Sequence, residues 1–363
     1  MSPRVVVAGA GIIGSAIAWM LRRRGIAVTL LDNGPLPGQA SGAGAGMLAP
    51  GAEVTQASPW SSLALDSAAR YADFVAELKA AAASRGFVPT VDFRQSGAVE
   101  IAWDDEERRL LDLRSREQAS IGIASRWLSH AEIAAHVPAL DGEPRGALYY
   151  PRDAIVDPVD VVRLLHRIQP PVSAEVSAIE ATARGVVVRT ASEAIAREVI
   201  ECDAAVLAAG AWASRIAVTV NGVPHRLAES VPVRGHLMGF QVEAGRLGPI
   251  LRHAHTYLLQ RRSGLLVAGT SEERVGFDAA TDQSTVAAIR ARAMRLIPRL
   301  IADAPYKSWI GFRPGIDASA PAIGQVEESR LWLAYGHYRN GILLAPATAH
   351  RIAQSISATL GMD

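Results

Sequence analysis

The sequence predicts a mixed α/β fold, α+β when the whole chain is counted, on three observations. A β-branched run, Val5-Val6-Val7, passes through Gly9, Gly11 and Gly14 into an apolar helical segment. A second strand over 27–31 ends on Asp32, and the strand-then-glycine pattern returns near 204–210 and again near 331–341. Several further β segments lie between those returns. The chain therefore reads as a Rossmann-like nucleotide-binding unit built from discontinuous segments, with an antiparallel β-rich unit inserted in two pieces. The boundaries expected are 1–88, 146–222 and 314–363 for the first unit, and 89–145 and 223–313 for the second.

The first turn carries the clearest chemistry. Gly9 permits a tight turn, Gly11 lets the backbone approach a pyrophosphate, and Gly14 lets helix pack close on strand. Ile12 and Ile13 open a helix whose unpaired N–H groups point at the phosphates. Asp32, with Asn33 beside it, is placed to accept hydrogen bonds from an adenosine ribose. Arg22-Arg23-Arg24 before Gly25 makes a good helix C-terminus and a poor cleavage site, which argues against a signal peptide.

Composition narrows the class. The 363 residues are 49% hydrophobic and 20% charged, with a net charge of +1, so a proper core is expected and nothing calls for nucleic acid. No apolar run is long enough for a transmembrane helix. Cys202 is the only cysteine, which excludes an intramolecular disulfide and a cysteine-based metal cluster. A soluble cytoplasmic protein is expected.

The loop 35–50 is dense in glycine and alanine, so its backbone can lie against something flat or phosphorylated; a merely permissive loop is the alternative. Periodicity predicts helices over 60–85, 104–120, 157–168 and 283–302. Ser129 and Glu132 have capping-box spacing before a short helix that Pro138 stops. Strands are expected at 91–93, 97–103, 172–179, 185–190, 199–201, 204–208, 231–241, 256–260 and 265–269. A small-residue turn follows at Ala209, Gly210 and Trp212. Arg313 sits in Gly311-Phe312-Arg313-Pro314-Gly315, read as a constrained turn, and a polar turn at 336–341 leads into a final helix over 342–360.

Four blocks together resemble the D-amino-acid oxidase family of FAD-dependent oxidoreductases, in its glycine oxidase (ThiO-type) branch. They are the GAGIIG turn with Asp32, Gly44 to Pro50, Gly311 to Gly315, and Gly336 to Pro346, which is the most specific. The resemblance covers essentially the whole chain and implies FAD, with its ADP portion on the first strand–helix–strand unit. It sets the flavin against Ser41, Gly42, Ala45, Gly46 and Met47, brings the main chain of Val176 to the adenine, and lays the turn at Ala209, Gly210 and Trp212 close by. His337, Arg339, Asn340, Gly341, Ile342 and Leu343 would stand beside the ring. Residues 41–46 contain no histidine, and Cys202 is far in sequence from the last block. The covalent attachments of some relatives are therefore not expected.

The same resemblance implies hydride transfer from the Cα of a neutral amino acid or amine to flavin N5. Glycine, sarcosine, D-alanine and D-proline are the expected substrates, and oxygen is reduced to hydrogen peroxide. The imine would serve thiamine thiazole synthesis. Arg313 is the first candidate for the substrate carboxylate, because a guanidinium fixes angle as well as position. Tyr257 matches a family tyrosine that donates to the same carboxylate, and Arg339 a family arginine near flavin and substrate. Met47 would form an apolar wall, His255 would line the entrance, and Ser271 stands where a larger apolar side chain is usual, which would widen the pocket. Homo-oligomers are expected. Two alternatives remain: a D-amino-acid dehydrogenase feeding a membrane quinone, and a noncatalytic FAD-binding protein.

Overall fold

The computed structural model describes residues 2–35, 38–191 and 198–362; Leu36 and Pro37 of the small-residue loop lie outside the described residues. The strand Arg4–Ala8 stands inside a six-stranded sheet. It pairs in parallel with Ala27–Asp32 on one side and Ala204–Leu207 on the other. Val172–Ser173 extends the first side, Leu331–Tyr335 the second, and the outermost strand Ala322–Gln325 is antiparallel.

Both faces of the central strand are covered, which is why it reads as an unbroken apolar run. Val5 and Val7 join a core with Ile17 and Leu344 from the helical layer. Val6 and Ala8 join a second core with Ile179, Val188 and Val218 from a five-stranded sheet stacked on the opposite face. Helix Ile12–Arg23 packs against the last helix, Gly341–Leu360, which packs in turn against Pro59–Ala83. A Cβ on Gly14 would collide with the Gly9 carbonyl oxygen. The helix can start directly on the turn only because position 14 has no side chain.

The second large sheet has eight strands. Its order is Tyr306–Ile316, Ser230–Gln241, Leu265–Gly269, Thr256–Gln260, Ile250–His253, Ala98–Ala102, Gly146–Tyr150 and Arg126–Trp127. All pairings are antiparallel except that of Ala98–Ala102 with Ile250–His253.

Three expectations change here. Residues 311–315 are not a turn: they lie within the long edge strand Tyr306–Ile316, with Arg313 opposite Val233 and Pro314 opposite Pro232. An edge strand tolerates proline because one row of its N–H groups needs no partner. Gly146–Tyr150, expected with the nucleotide-binding segments, pairs with Ala98–Ala102 in the eight-stranded sheet. The helix expected over 283–302 breaks at Ile297, and Pro298 starts a separate turn, Pro298–Ile301, because proline cannot continue the hydrogen-bond ladder. The capping box at Ser129 and Glu132 forms as expected and opens His130–His136.

The packing at position 14 is testable. Gly14→Ala is expected to lower stability by about 1–3 kcal/mol, the usual range for overpacking, measured by urea denaturation. Unchanged stability would show that helix and turn can separate.

Candidate active site

A cavity of about 1000 Å³ opens where the C-terminal ends of the central parallel strands face the eight-stranded sheet. That is where open α/β sheets bind ligands. At one end lies the glycine turn. Gly9 has φ +106° and donates its N–H to the Leu31 carbonyl at 2.8 Å. The Asp32 carboxylate accepts from the Ala10 N–H at 2.7 Å and from the Gly34 N–H at 3.0 Å. Ser41 reaches across from the small-residue loop, its Oγ accepting the Ile12 N–H at 3.0 Å. Turn, acid and loop are thus one hydrogen-bonded unit.

The cavity wall brings together most of the residues singled out from sequence. Gly9, Gly11, Ile12, Ile13, Asp32 and Asn33 line its first part, with Val176 beside them. Ser41, Gly42, Ala45, Gly46 and Met47 line its middle, facing Ala209, Gly210 and Trp212. His337, Arg339, Asn340, Gly341 and Ile342 close the far side. A Cβ on Gly42 or Gly210 would meet nothing within 4 Å, so free space lies against the backbone at both. Such a cradle of bare backbone, a helix N-terminus and one carboxylate fits the ADP portion and flat ring of FAD.

The other end holds the polar side chains. Arg313 is partly buried, and its guanidinium lies over Gly235, where any Cβ would strike it. Nη1 donates to the Ser271 carbonyl at 3.0 Å and Nη2 to Thr270 Oγ1 at 2.6 Å. Among the described residues no carboxylate pairs with Arg313. The Tyr257 hydroxyl is packed over Gly269, which has no Cβ to block it. Burial pushes the Tyr257 pKa up, against the opposing pull of Arg313 and Arg339, so the phenol stays a protonated donor at neutral pH. Arg339 is paired with Glu53 at 3.3 Å, and both line the cavity.

Four assignments move. His255 is exposed in the hairpin turn before Thr256–Gln260, because the strand starts one residue later than its proposed role requires. Ser271 is not a pocket wall: its carbonyl holds Arg313 and its hydroxyl points away, to Glu273 Oε1 at 2.6 Å. Leu343 does not line the cavity but is buried in the helical core, since its face of Gly341–Leu360 points inward. Gly14 also stands behind the wall, where it serves packing. Sequence reasoning did not find Glu53, Thr270 or Gly235. Glu53 follows the small-residue loop on the short helix Pro50–Glu53, and nothing in its spacing marks it as facing Arg339.

These features define an FAD-dependent oxidoreductase. The profile described as "DAO: FAD dependent oxidoreductase" matches residues 4–355, and the chain belongs to that family. It is 32% identical to the glycine oxidase of Pseudomonas aeruginosa (strain PAO1), over 98% of this chain and 95% of that protein. It is 30% identical to the bifunctional protein ThiO/ThiG of Synechocystis sp., over 97% of this chain but only 51% of that longer protein. The solved glycine oxidase of Geobacillus kaustophilus superimposes with a TM-score of 0.85 at 27% identity, covering 98% of this chain and 95% of that one. The iminodiacetate oxidase of Chelativorans sp. BNC1 shares the fold, with a TM-score of 0.85 at 24% identity over 98% of this chain and 95% of that one. The protein is of the glycine oxidase type, and FAD is its cofactor. Among the described residues no helix is long and apolar enough to cross a membrane.

His337 yields a pH prediction. It is buried, and desolvation lowers its pKa from 6.5 to about 3, with Nε2 placed 3.2 Å from Thr348 Oγ1. The unfolded chain binds the proton near pH 6.5 and the folded chain only near pH 3, so stability is present above that window and lost as pH falls through it. Between pH 7.5 and 5, wild type is expected to lose about 2 kcal/mol more unfolding free energy than His337→Gln. Parallel losses in urea titrations would remove His337 as the cause.

Proposed function

We propose that the chain oxidises the amine of a small amino acid or N-methyl amino acid to an imine, with oxygen as electron acceptor and hydrogen peroxide as product. Glycine, sarcosine, D-alanine and D-proline are the substrates proposed. The observation that carries this reading is Arg313: a guanidinium facing the cofactor cavity, with no carboxylate partner among the described residues, beside the buried hydroxyl of Tyr257. Similarity to the glycine oxidases supports the same substrate class, and similarity to ThiO/ThiG supports a place in thiamine thiazole synthesis.

FAD held in this cavity would supply the acceptor for the hydride leaving the substrate Cα. The chain's own contribution is orientation. Of the five guanidinium N–H groups of Arg313, two are engaged behind it, which leaves three for a substrate carboxylate. Tyr257, kept protonated by burial, adds a neutral donor to the same group. Held at that end, the substrate presents Cα toward the middle of the cavity, between Met47 and the segment 337–342. Glu53 cancels one of the two arginine charges, so the pocket keeps about one net positive charge for one carboxylate. Cys202 sits in a strand outside the cavity, and burial raises its thiol pKa to about 11; the FAD is proposed to be noncovalent. Of the alternatives, the noncatalytic one lacks a reason to keep a partly buried cation without a carboxylate partner facing the cofactor cavity.

The test is direct. The purified protein should be yellow and release FAD on denaturation. A peroxidase-coupled screen of the four substrates, run beside an artificial electron acceptor, separates oxidase from dehydrogenase. Peroxide formation with none of them, but reduction of the acceptor, would replace the oxidase reading. Arg313→Ala is expected to raise KM roughly a hundredfold while retaining FAD, since it removes a charge-assisted bidentate partner. An unchanged KM would remove Arg313 from the site.

A further inference from the structure

Arg313 is held by hydrogen bonds that lead back to a carboxylate it does not touch. Behind the guanidinium, Thr270 Oγ1 donates to the His236 carbonyl at 3.0 Å. The Ser271 hydroxyl accepts from the His236 main-chain N–H at 2.9 Å and donates to Glu273 Oε1 at 2.6 Å. Glu273 Oε1 also faces His236 Nδ1 at 2.8 Å. Because His236 Nε2 accepts the Asp282 N–H at 2.9 Å, a neutral ring carries its proton on Nδ1, toward Glu273. Glu273 Oε2 takes Arg234 Nε at 3.1 Å and Nη2 at 2.6 Å. His236 is fully buried and the Arg234 side chain is 7% exposed.

This arrangement is more directional than packing alone would demand. Thr270 and Ser271 lie outside any named strand, between the end of Leu265–Gly269 and an isolated bridge in which Arg234 and Glu273 exchange two main-chain hydrogen bonds of 2.9 Å, so the main chain is pinned on either side of them. Between those points the Glu273 carboxylate aims the Ser271 hydroxyl and also meets an imidazole and a guanidinium, while Thr270 donates to the His236 carbonyl and its own carbonyl accepts from Arg292 Nη2 at 3.0 Å. A saturated carboxylate fixes the direction of each donor, whereas an apolar cluster would hold the segment without fixing its angle. The two acceptors so fixed are the ones that hold Arg313.

We infer that Glu273 is a positioning residue: through the Ser271 hydroxyl it sets the Thr270–Ser271 acceptors, and thereby the angle at which Arg313 meets a substrate carboxylate. The inference rests on the reading of Arg313 as the carboxylate partner. Glu273→Gln removes the charge and leaves one acceptor oxygen for the hydroxyl, the imidazole and the guanidinium together, so the bond from Ser271 is weakened. Ser271→Ala removes the other end of the same bond and carries the test if the first variant fails to fold. Asp278→Asn is the control, because it removes a half-exposed partner of Arg234 without touching Ser271.

The experiment uses the FAD-loaded enzyme. It measures KM and kcat for the best substrate, the Kd of acetate from the perturbed flavin absorbance, and FAD content. Glu273→Gln and Ser271→Ala are expected to raise KM and the acetate Kd together by about tenfold, with kcat at saturation within about twofold and FAD retained. Asp278→Asn should leave both constants within about twofold. Wild-type KM and acetate affinity in Glu273→Gln and Ser271→Ala, whatever their thermal stability, would overturn the inference and reduce Glu273 to a structural role. A wild-type enzyme that oxidises none of the amino acids and binds no acetate would instead overturn the carboxylate role of Arg313, and this inference with it.

Discussion

The constraint on which the site depends is the approach of helix Ile12–Arg23 to the turn that precedes it, where position 14 has no room for a Cβ. That approach brings the helix N-terminus over the end of the central strand. Asp32 accepts the Ala10 N–H, and Ser41 accepts the Ile12 N–H, so the same turn organises the neighbouring strand and the small-residue loop. The cavity exists because these three segments converge without side chains between them. Moving the helix outward would widen the cradle and break both bonds at once.

From that anchor the cofactor site extends toward a sheet of a different kind. The parallel sheet turns mostly backbone groups and the Asp32 carboxylate toward the cavity, which suits a ligand with many oxygen atoms and a fixed shape. The antiparallel sheet contributes long side chains instead. Arg313 projects from its edge strand over Gly235, and Tyr257 projects from an inner strand over Gly269. Each polar group is therefore seated on a glycine of its neighbouring strand. Glu53 comes from neither sheet. It arrives on a single helical turn and offsets Arg339, so the charge of the pocket depends on three separate parts of the chain.

Much of the fold was legible because its signals are local. The unbroken Val5 to Val7 run reports a strand covered on both faces, and the capping box at Ser129 reports a helix start through bonds only three residues long. The strand Tyr306–Ile316 was not legible, since Gly-Phe-Arg-Pro-Gly has the composition of a turn and only pairing with Ser230–Gln241 extends it. The site divides in the same way. The glycine turn, the small-residue loop and the segment 337–342 could be read from spacing and family resemblance. His255 and Ser271 were misplaced because one residue of strand register, or one rotation of a hydroxyl, decides which way a side chain faces.

What the sequence by itself determined is the nucleotide end: a strand, three glycines and an acid at fixed separations impose their geometry through bonds between near neighbours. Family resemblance within the same sequence named the cofactor and pointed to Arg313. Only the tertiary structure decided how that arginine is held. Its place on an edge strand, its seat on Gly235 and its support by Thr270 and Ser271 join residues more than 35 positions apart. The pairing of Glu53 with Arg339 spans 286 positions. Contacts of that range leave no periodic trace in a sequence, because they are set by how sheets pack rather than by the residues beside them.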